Sequence, residues 1–257
     1  MSAFAEALDH AFNTQQNELN DAGGEQIAKL RRDTLENAKS IGLPGPRDEA
    51  WKYTNLSQLK AKPISVVSQG EVAENDHLAK LPALQFAPHR VVFVDGFFSD
   101  RLSNLDNLQN GLNFESYSSL VRREPEALLD TLTTDTEANQ VFSLLNLSFL
   151  QDGAQIQIAP NSECGPLEVC FIDSGNGKFN CPRLKISAGE NSRAEIIEVH
   201  YSAKASESVT SAVTHIAAAP GANLQHYRLQ FDQSTHHIAN VNISAAANST
   251  VSNHSIV

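Results

Sequence analysis

The stretch Leu167-Glu168-Val169-Cys170-Phe171 recurs, with substitutions, as Ile197-Glu198-Val199-His200-Tyr201 and again as Tyr227-Arg228-Leu229-Gln230-Phe231. The three copies start 30 residues apart, and each of them ends on an aromatic residue. Within the copies apolar and polar side chains alternate, which is the pattern of a strand with one buried face. A repeat of constant length indicates that similar strands stack on one another, as they do in solenoid proteins.

Isoleucine recurs at the same interval between these copies. The positions are Ile156, Ile186 and Ile216, and a shorter fourth copy begins at Ile243. Each isoleucine is followed by a loop rich in turn-forming residues. The loops carry Pro160-Asn161, Gly189-Glu190-Asn191, Pro220-Gly221-Ala222-Asn223 and Asn248-Ser249.

We therefore predict a β-helix, or a closely related β-solenoid, over residues 155–257, with rungs of about 30 residues. In this fold Phe171, Tyr201 and Phe231 form one column and the isoleucines form another. Neighbouring rungs are expected to lie about 4.8 Å apart. An antiparallel sandwich with evenly spaced strands is the alternative that the pattern leaves open.

The residues before the solenoid are predicted to be largely helical. Residues 3–20 and 27–41 carry apolar side chains at helical spacing, separated by Gly23-Gly24, and the second helix is expected to stop at Gly42. Helices of this kind suit the first rung of a solenoid, because terminal rungs need a cover. We assign residues 1–87 to a helical N-terminal region that includes a tryptophan-containing motif.

Residues 88–154 are predicted to lead into the solenoid. A β-hairpin with a type I′ turn at Asp95-Gly96 is expected first. Residues 116–132 indicate a helix that Pro125 can interrupt, because proline lacks the backbone N–H. Residues 138–150 are apolar on most sides, so we expect them to form a deeply buried helix just before the first solenoid strand.

The composition argues against several classes of protein. The net charge of -11 and the pI of about 5.2 disfavour nucleic acid or an anionic membrane as the main partner. No apolar run reaches the roughly 18 residues that a membrane span needs. The N-terminus lacks the basic and apolar segments of a signal peptide. Three cysteines, Cys164, Cys170 and Cys181, fit a reducing compartment better than a disulfide framework, so we expect a cytoplasmic protein.

Neither the cysteines nor the histidines form a recognisable metal-binding motif. The cysteines lack the compact spacing of zinc sites, and Cys170 has the setting of a small packed hydrophobe. Six histidines fall in the solenoid, at His200, His215, His226, His236, His237 and His254. Stacking can bring them together, and His226 and His254 occupy comparable regions of successive copies. Because no ligand spacing is evident, we interpret the histidines as solvent-facing, and we expect no metal, no cofactor and no catalytic residue in this chain alone.

The densest local signature is the stretch 43–56, which holds the only tryptophan, Trp51, beside a block of charges. One interpretation is a recognition patch built from Trp51 and Arg47. The other, which we favour, is structural: Trp51 packs against the helices and pins a short helix at a domain joint, with its indole N–H needing a partner.

The stretch Leu43-Pro44-Gly45-Pro46-Arg47-Asp48-Glu49-Ala50-Trp51-Lys52-Tyr53-Thr54-Asn55-Leu56 also resembles the N-terminal hallmark of the SufD family, whose members are subunits of the SUF iron–sulfur cluster assembly system. Further stretches resemble the family in the same order. They are 92–99 in the hairpin, 141–149 before the β-helix, and 181–186 and 224–230 in its first rungs. The resemblance covers essentially the whole chain.

The resemblance implies an α+β fold in which a helical N-terminal region precedes a right-handed parallel β-helix. It also implies a non-catalytic scaffold that works with the paralogous SufB and the ATPase SufC to build iron–sulfur clusters. Family members continue past Val257, where they complete the β-helix and add a helical segment for the ATPase. We therefore expect a C-terminally incomplete chain, and we assign no cluster-contacting residue, because those at the paralogue interface would lie in the absent part.

An interrupted solenoid would leave unpaired backbone groups on its last rung. We expect residues 238–257 either to pair with a second copy, giving a homodimer through the β-helix, or to be poorly ordered.

The alternative function comes from a different class, a carbohydrate-acting β-helix enzyme. Such an enzyme needs clustered carboxylates on one face. Residues 155–257 hold only eight Asp and Glu residues, and none of them forms an evident pair in the sequence. The scaffold interpretation is therefore favoured.

Overall fold

A computed structural model describes residues 3–14, 18–57, 59, 65–66, 86–134, 140–175, 177–202, 207–231 and 236–257. The helices with described bounds are α1 (Ala3–Thr14), α2 (Glu18–Ile41), α3 (Tyr117–Arg123), α4 (Pro125–Thr134) and α5 (Val141–Ser148). The strands are β1 (His89–Val94), β2 (Phe97–Phe98), β3 (Leu112–Ser116), β4 (Ala154–Ile158), β5 (Glu163–Asp173), β6 (Phe179–Asn180), β7 (Arg183–Ala188), β8 (Arg193–Ser202), β9 (Val209–Ala218), β10 (Asn223–Phe231), β11 (His236–Ala245) and β12 (Thr250–Ile256).

The strands form two sheets that the chain visits in turn. Sheet A has the order β12-β10-β8-β5-β1-β2, and sheet B has the order β11-β9-β7-β4-β3, with β6 also paired to β9. Successive strands of the coil are parallel to their neighbours in both sheets. This parallel pairing excludes the antiparallel sandwich. The predicted α+β fold, with N-terminal helices followed by a parallel β-solenoid, is confirmed.

The predicted isoleucine column is confirmed. Ile156 pairs with Ile186, Ile186 with Ile216, and Ile216 with Ile243. The first three side chains are buried in the main apolar core, which fills the space between the two sheets. Each isoleucine therefore packs on the equivalent residue of the next rung.

The turns that end these strands share one backbone conformation. Asn161, Asn191 and Asn248 have φ values of 58°, 53° and 59°, and Gly221 has a φ of 71°. Asparagine and glycine tolerate this left-handed region, which most residues avoid. The turn residues recur because the chain reverses its direction at the same position in every rung.

The predicted aromatic column is wrong for its first member. Tyr201 pairs with Phe231, but Phe171 pairs with His200 instead of Tyr201. The cause is a register shift between β5 and β8 just before Pro166. Since side chains alternate along a strand, a shift of one residue changes the face on which equivalent positions lie.

The N-terminal helices agree with the prediction at the glycine pair. α1 ends at Thr14, and residues 15–17 lie outside the described part of the chain. Gly24 has a non-helical φ of 67° and ψ of -167°, so Gly23-Gly24 separates two helical segments that meet at a kink within the range labelled α2. Glycine accepts this conformation without a steric cost from Cβ.

The segment before the solenoid follows the prediction closely. β1 and β2 form the hairpin, and the positive φ values of Asp95 (50°) and Gly96 (89°) are those of a type I′ turn. The predicted helix over 116–132 is divided into α3 and α4 at Glu124, the residue that precedes Pro125. α5 is buried along its whole length and packs between α2 and β9. None of the helices in the described ranges is both long enough and apolar enough to cross a membrane.

Candidate functional site

The interior of the solenoid changes character along its strands. Near the tight turns, on what we call the turn side, the inward side chains are apolar: Ile156, Ile186, Ile216, Ala194 and Leu224. Towards the ends of β8 and β10, on what we call the loop side, the later rungs carry inward polar side chains: Glu198, His200, Thr214 and His226. The polar set is the strongest candidate for a functional site, because buried polar groups are retained only when they are paired.

Glu198 lies at the centre of this set. Its Oε1 accepts a hydrogen bond from Nε2 of His200 at 2.6 Å. Its Oε2 accepts hydrogen bonds from Nε2 of His226 at 3.0 Å and from Oγ1 of Thr214 at 2.7 Å. Nδ1 of His226 lies 2.8 Å from Oδ1 of Asn253 in the next rung. We call these five residues the Glu–His cluster; they join both sheets and three successive rungs.

Strand alternation places Glu198 and His200 inside, because Ala194 and Ile196 on the same strand are core residues of the interior. β8 keeps the 30-residue register with β10 over its whole length. The irregularity lies in β5, where the shift before Pro166 brings Val169 and Phe171 inside, opposite Glu198 and His200. The sequence contains a signal for this shift, since glycine followed by proline inside a strand pattern indicates a bulge. The predictions from the repeat include no role for Glu198 or Thr214.

Burial and charge act in opposite directions on the cluster. Burial alone would raise the pKa of Glu198, but the hydrogen bonds and charges of His200 and His226 hold that pKa well below its usual value. Burial alone would lower the pKa of His226, but the hydrogen bond and charge of Glu198 raise it. An ionised carboxylate only accepts hydrogen bonds, so both Nε2 atoms carry hydrogen. Both ring nitrogens of His226 face oxygen atoms, Oε2 of Glu198 and Oδ1 of Asn253, and the raised pKa favours its imidazolium form, which makes a buried ion pair with the Glu198 carboxylate.

The remaining histidines do not join one site. The ring of His237 meets the ring of His200 at 4.7 Å between centroids, almost perpendicular to it. His215 is on the outer face of sheet B, with Nε2 3.3 Å from Nη2 of Arg183. His254 stacks on a tyrosine ring at 5.2 Å.

The interpretation of the histidines as solvent-facing is wrong for three of them. His200 and His226 are buried inside the solenoid, and His215 is buried on the outer face of sheet B. His226 and His254 are not equivalent, because His226 pairs with Asn253 and the two histidines therefore lie on opposite faces of the sheet. His236 is half-buried at the start of β11.

A second group of buried polar residues joins α5 to the solenoid. Nδ2 of Asn146 donates to the carbonyl oxygens of Pro182 at 2.9 Å and Ser211 at 2.6 Å. Oδ1 of Asn146 accepts from Nη1 of Arg183 at 2.8 Å. These bonds satisfy backbone groups and fix the helix on the sheet, which is a structural role.

The structure separates the three cysteines. Cys164 is in the solenoid core, Cys170 is on the outer face of sheet A, and Cys181 packs near α5. Burial raises the pKa of Cys170 to about 12 and also raises the pKa values of the other two thiols. Metal ligation requires the thiolate, so these environments disfavour it. Among the described residues no group of three or more His, Cys, Asp or Glu side chains could hold a metal ion.

The stretch 43–56 contains a 3₁₀ helix at Glu49–Trp51. Trp51 is half-buried, and its ring lies 5.1 Å from that of Phe142 in α5. Oδ2 of Asp48 accepts a hydrogen bond from the backbone N–H of Gly45 at 2.6 Å, which closes the preceding turn. These contacts support the structural interpretation, in which Trp51 pins this segment against α5.

Sequence comparisons place the whole fold in one family. Residues 3–165 match the SufBD protein N-terminal region, and residues 170–257 match the SufBD core domain of SUF system FeS cluster assembly. The chain belongs to the SufBD family. The predicted membership of a SufD-type iron–sulfur cluster assembly family is thereby confirmed, and the Glu–His cluster lies within the part that matches the core domain.

Two curated relatives are similar to this SufBD chain. An iron–sulfur cluster assembly SufBD family protein of Synechocystis is 32% identical over 181 residues, which cover 67% of this chain and 38% of the relative. The iron–sulfur cluster assembly protein SufD of Escherichia coli is 26% identical over 250 residues, which cover 95% of this chain and 56% of the relative. The chain therefore spans about half the length, or less, of these relatives.

Proposed function

We propose that this chain is a non-catalytic scaffold subunit in cytoplasmic SUF iron–sulfur cluster assembly. Its partners in this proposal are a SufB-like paralogue and a SufC-like ATPase. Family membership supports the assembly role. The observation that supports the scaffold role is the parallel β-solenoid of two stacked sheets, whose residues 170–257 match the SufBD core domain.

Among the described residues, β11 and β12 are the outermost strands of the coil. Their outer edges carry N–H and C=O groups that a further parallel strand can pair with, whether it comes from a partner or from the same protein. Ile243 and Ile256 are 43% and 57% exposed on the same strands, so apolar side chains accompany the backbone edge. A SufB-like paralogue or a second copy of this chain would cover both features at once.

The arrangement of carboxylates disfavours the carbohydrate-acting alternative. Glu168 and Glu198 are both buried, but they lie on opposite faces of sheet A. Glu168 is paired with Arg90 at 3.0 Å, and Glu198 is held within the Glu–His cluster. A glycoside hydrolase needs two carboxyl groups that flank one opening, and these two cannot.

We also propose that three parts of the chain have different roles. Residues 1–87 cover the solenoid with helices and the Trp51 segment. Residues 88–154 connect this cover to the first rung. Residues 155–257 form the rungs that meet the partner.

Iron–sulfur clusters are the cargo of the complex and are not held by this chain alone. We expect anaerobic reconstitution of the isolated chain to yield no stoichiometric cluster chromophore, and a chromophore lost on substitution of Cys164, Cys170 or Cys181 would contradict this.

The partner surface can be tested by co-purification. The tagged chain is expected to retain a SufB-like paralogue and a SufC-like ATPase when the three are expressed together. Ile243→Lys should reduce this retention, because it places a charge on the proposed interface. Tyr53→Lys is the matched control, since Tyr53 is 92% exposed and belongs to neither edge strand.

The proposal fails if neither partner is retained while a full-length SufD is retained under the same conditions. Light scattering on the chain alone shows whether this surface binds a second copy of the chain or a different protein. A dimer that Ile243→Lys dissociates would assign the edge to a second copy.

A further inference from the structure

Asn180 carries a buried side-chain amide beside the loop side of the solenoid. The residue lies in β6 and is 5% exposed. Neither its Nδ2 nor its Oδ1 has a hydrogen-bond partner among the residues that the structure describes. Buried amides are costly to leave unpaired, so two unpaired atoms in one side chain point to a bound molecule.

A small cavity lies beside this amide. Its volume is about 20 Å³, and its polar walls come from Asn180, Thr210, His200 and Asp173. Asn180 pairs with Thr210 across β6 and β9, so the two side chains project from the same face into the interior. A buried water molecule needs about this much space and two to four polar partners, both of which the cavity offers.

The cavity lies between the Glu–His cluster and the protein surface. On its inner side, His200 is hydrogen-bonded through Nε2 to Glu198 at 2.6 Å. On its outer side, the walls include Gly96 and Tyr201, which are both partly exposed. Since Nε2 of His200 already serves Glu198, we assign the contact with a molecule in the cavity to Nδ1.

We propose that the cavity binds one water molecule, which hydrogen-bonds the Asn180 amide and His200 and connects the Glu–His cluster to the protein surface. Water both donates and accepts, as the amide and the imidazole nitrogen require. Protons bound to the cluster then exchange with solvent through Nδ1 of His200 and this water. The exchange moves only protons, so it needs no other reactant.

The direct test uses the unaltered 257-residue chain. A crystal structure at a resolution that shows ordered water is expected to place one water within hydrogen-bonding distance of the Asn180 amide. The proposal is overturned if no water is found there, or if the amide instead turns to bond a protein group.

A substitution gives an independent test of the same site. Asn180→Leu replaces the amide with an apolar side chain of similar size. If water is bound, the variant should have a lower Tm than the parent protein, because the water loses a partner and His200 loses the water. If the cavity is dry, the same substitution removes two unpaired groups and should leave the Tm unchanged or higher.

Asn146→Leu calibrates that measurement. The side-chain amide of Asn146 is hydrogen-bonded to protein groups, so this substitution should lower the Tm whether or not a water molecule is bound at Asn180. Asn180→Ser keeps a hydroxyl group for the water and should fall between Asn180→Leu and the parent protein. If Asn180→Leu does not fold, Asn180→Ser together with the crystal structure still decides the outcome.

Proton exchange between the Glu–His cluster and solvent can be measured separately. Nitrogen-15 NMR of the histidine side chains reports how fast their N–H hydrogens exchange with water. Exchange at His200 should be slower in Asn180→Leu than in the parent protein, while exchange at the exposed His254 should not change. Equal exchange at His200 in both proteins would overturn the proposed path.

Discussion

The turn side and the loop side both lie in the interior between the same two stacked sheets, but different interactions stabilise them. On the turn side Ile156, Ile186 and Ile216 pack on one another without polar atoms. On the loop side Glu198 and His226 form a buried ion pair. An apolar ladder tolerates small changes of shape, whereas a buried charge depends on every one of its partners.

The 30-residue repeat is interrupted between β5 and β8. Glu163 pairs with Arg193, but after the shift Pro166 pairs with Glu195, so the sequence repeat and the spatial repeat differ there by one residue. β8 and β10 keep the 30-residue register over their whole length. The polar loop side therefore arises from the residues that replace apolar ones in the later rungs, and not from a change of register.

The largest effect is expected from removing the central carboxylate. Glu198→Ala leaves the His226 imidazolium buried without its counter-charge and deprives His200 and Thr214 of their acceptor. Breaking a buried pair in this way costs about 3–5 kcal/mol in the free energy of unfolding. Urea denaturation followed by circular dichroism measures it.

Glu195→Ala is the matched control for that measurement. Glu195 lies on the same strand but points outward and is half-exposed. Its removal should change the free energy of unfolding by less than about 0.5 kcal/mol. Equal losses in the two variants would show that the Glu–His cluster contributes nothing beyond an ordinary surface carboxylate.

A smaller effect is expected on the turn side. Ile186→Val removes one methyl group from a side chain packed between Ile156 and Ile216. The free energy of unfolding should fall by about 1 kcal/mol, from lost burial and a small cavity. Ile41→Val, at a position that is 48% exposed, should have almost no effect. A loss on the turn side as large as that of Glu198→Ala would erase the distinction between the two sides.

The sequence predicted the turn side well because several independent signals agree there. Isoleucine spacing, asparagine-containing turns and apolar alternation all describe the same rung, and Ile243 continues it into a shorter fourth copy. The hairpin at Asp95-Gly96 and the helix break at Pro125 were also predictable, because they depend on local backbone chemistry.

The loop side could not be predicted from the repeat alone. Histidine and glutamate in an alternating strand have the pattern of a solvent-facing row, yet Glu198 and His200 share the inward face with Ala194 and Ile196. Thr214 and Asn253 come from other strands, so their contact with the cluster depends on the tertiary structure. The partly correct aromatic column has a separate cause, since the shift in β5 puts Phe171 on the inner face while Tyr201 and Phe231 stay on the outer face.

The smallest expected effect is the pH dependence of the ion pair. The pKa of His226 is raised in the folded protein, so its protonated form contributes stability that is fully present below the unfolded pKa of about 6.5 and is lost as the pH rises through the folded pKa. The loss is partial, because the neutral ring still donates from Nε2 to Glu198. Glu198, Arg228 and His200 are the charged or titratable groups that act on this ring directly or through Glu198.

The measurement compares the parent protein with His226→Gln, whose amide can still donate to Glu198. The stability advantage of the parent protein should decrease as the pH is raised from about 6 to about 9, above the range in which the histidine is charged. Burial raises the pKa of Asp152 to about 6, so the stabilising contribution of its protonated carboxyl group is also lost as the pH rises. Because Asp152 is present in both proteins, its contribution cancels in the difference. An advantage that stays constant or grows over this range would mean that His226 is neutral in the folded state, and the loop side would then be a hydrogen-bonded network without a buried charge pair.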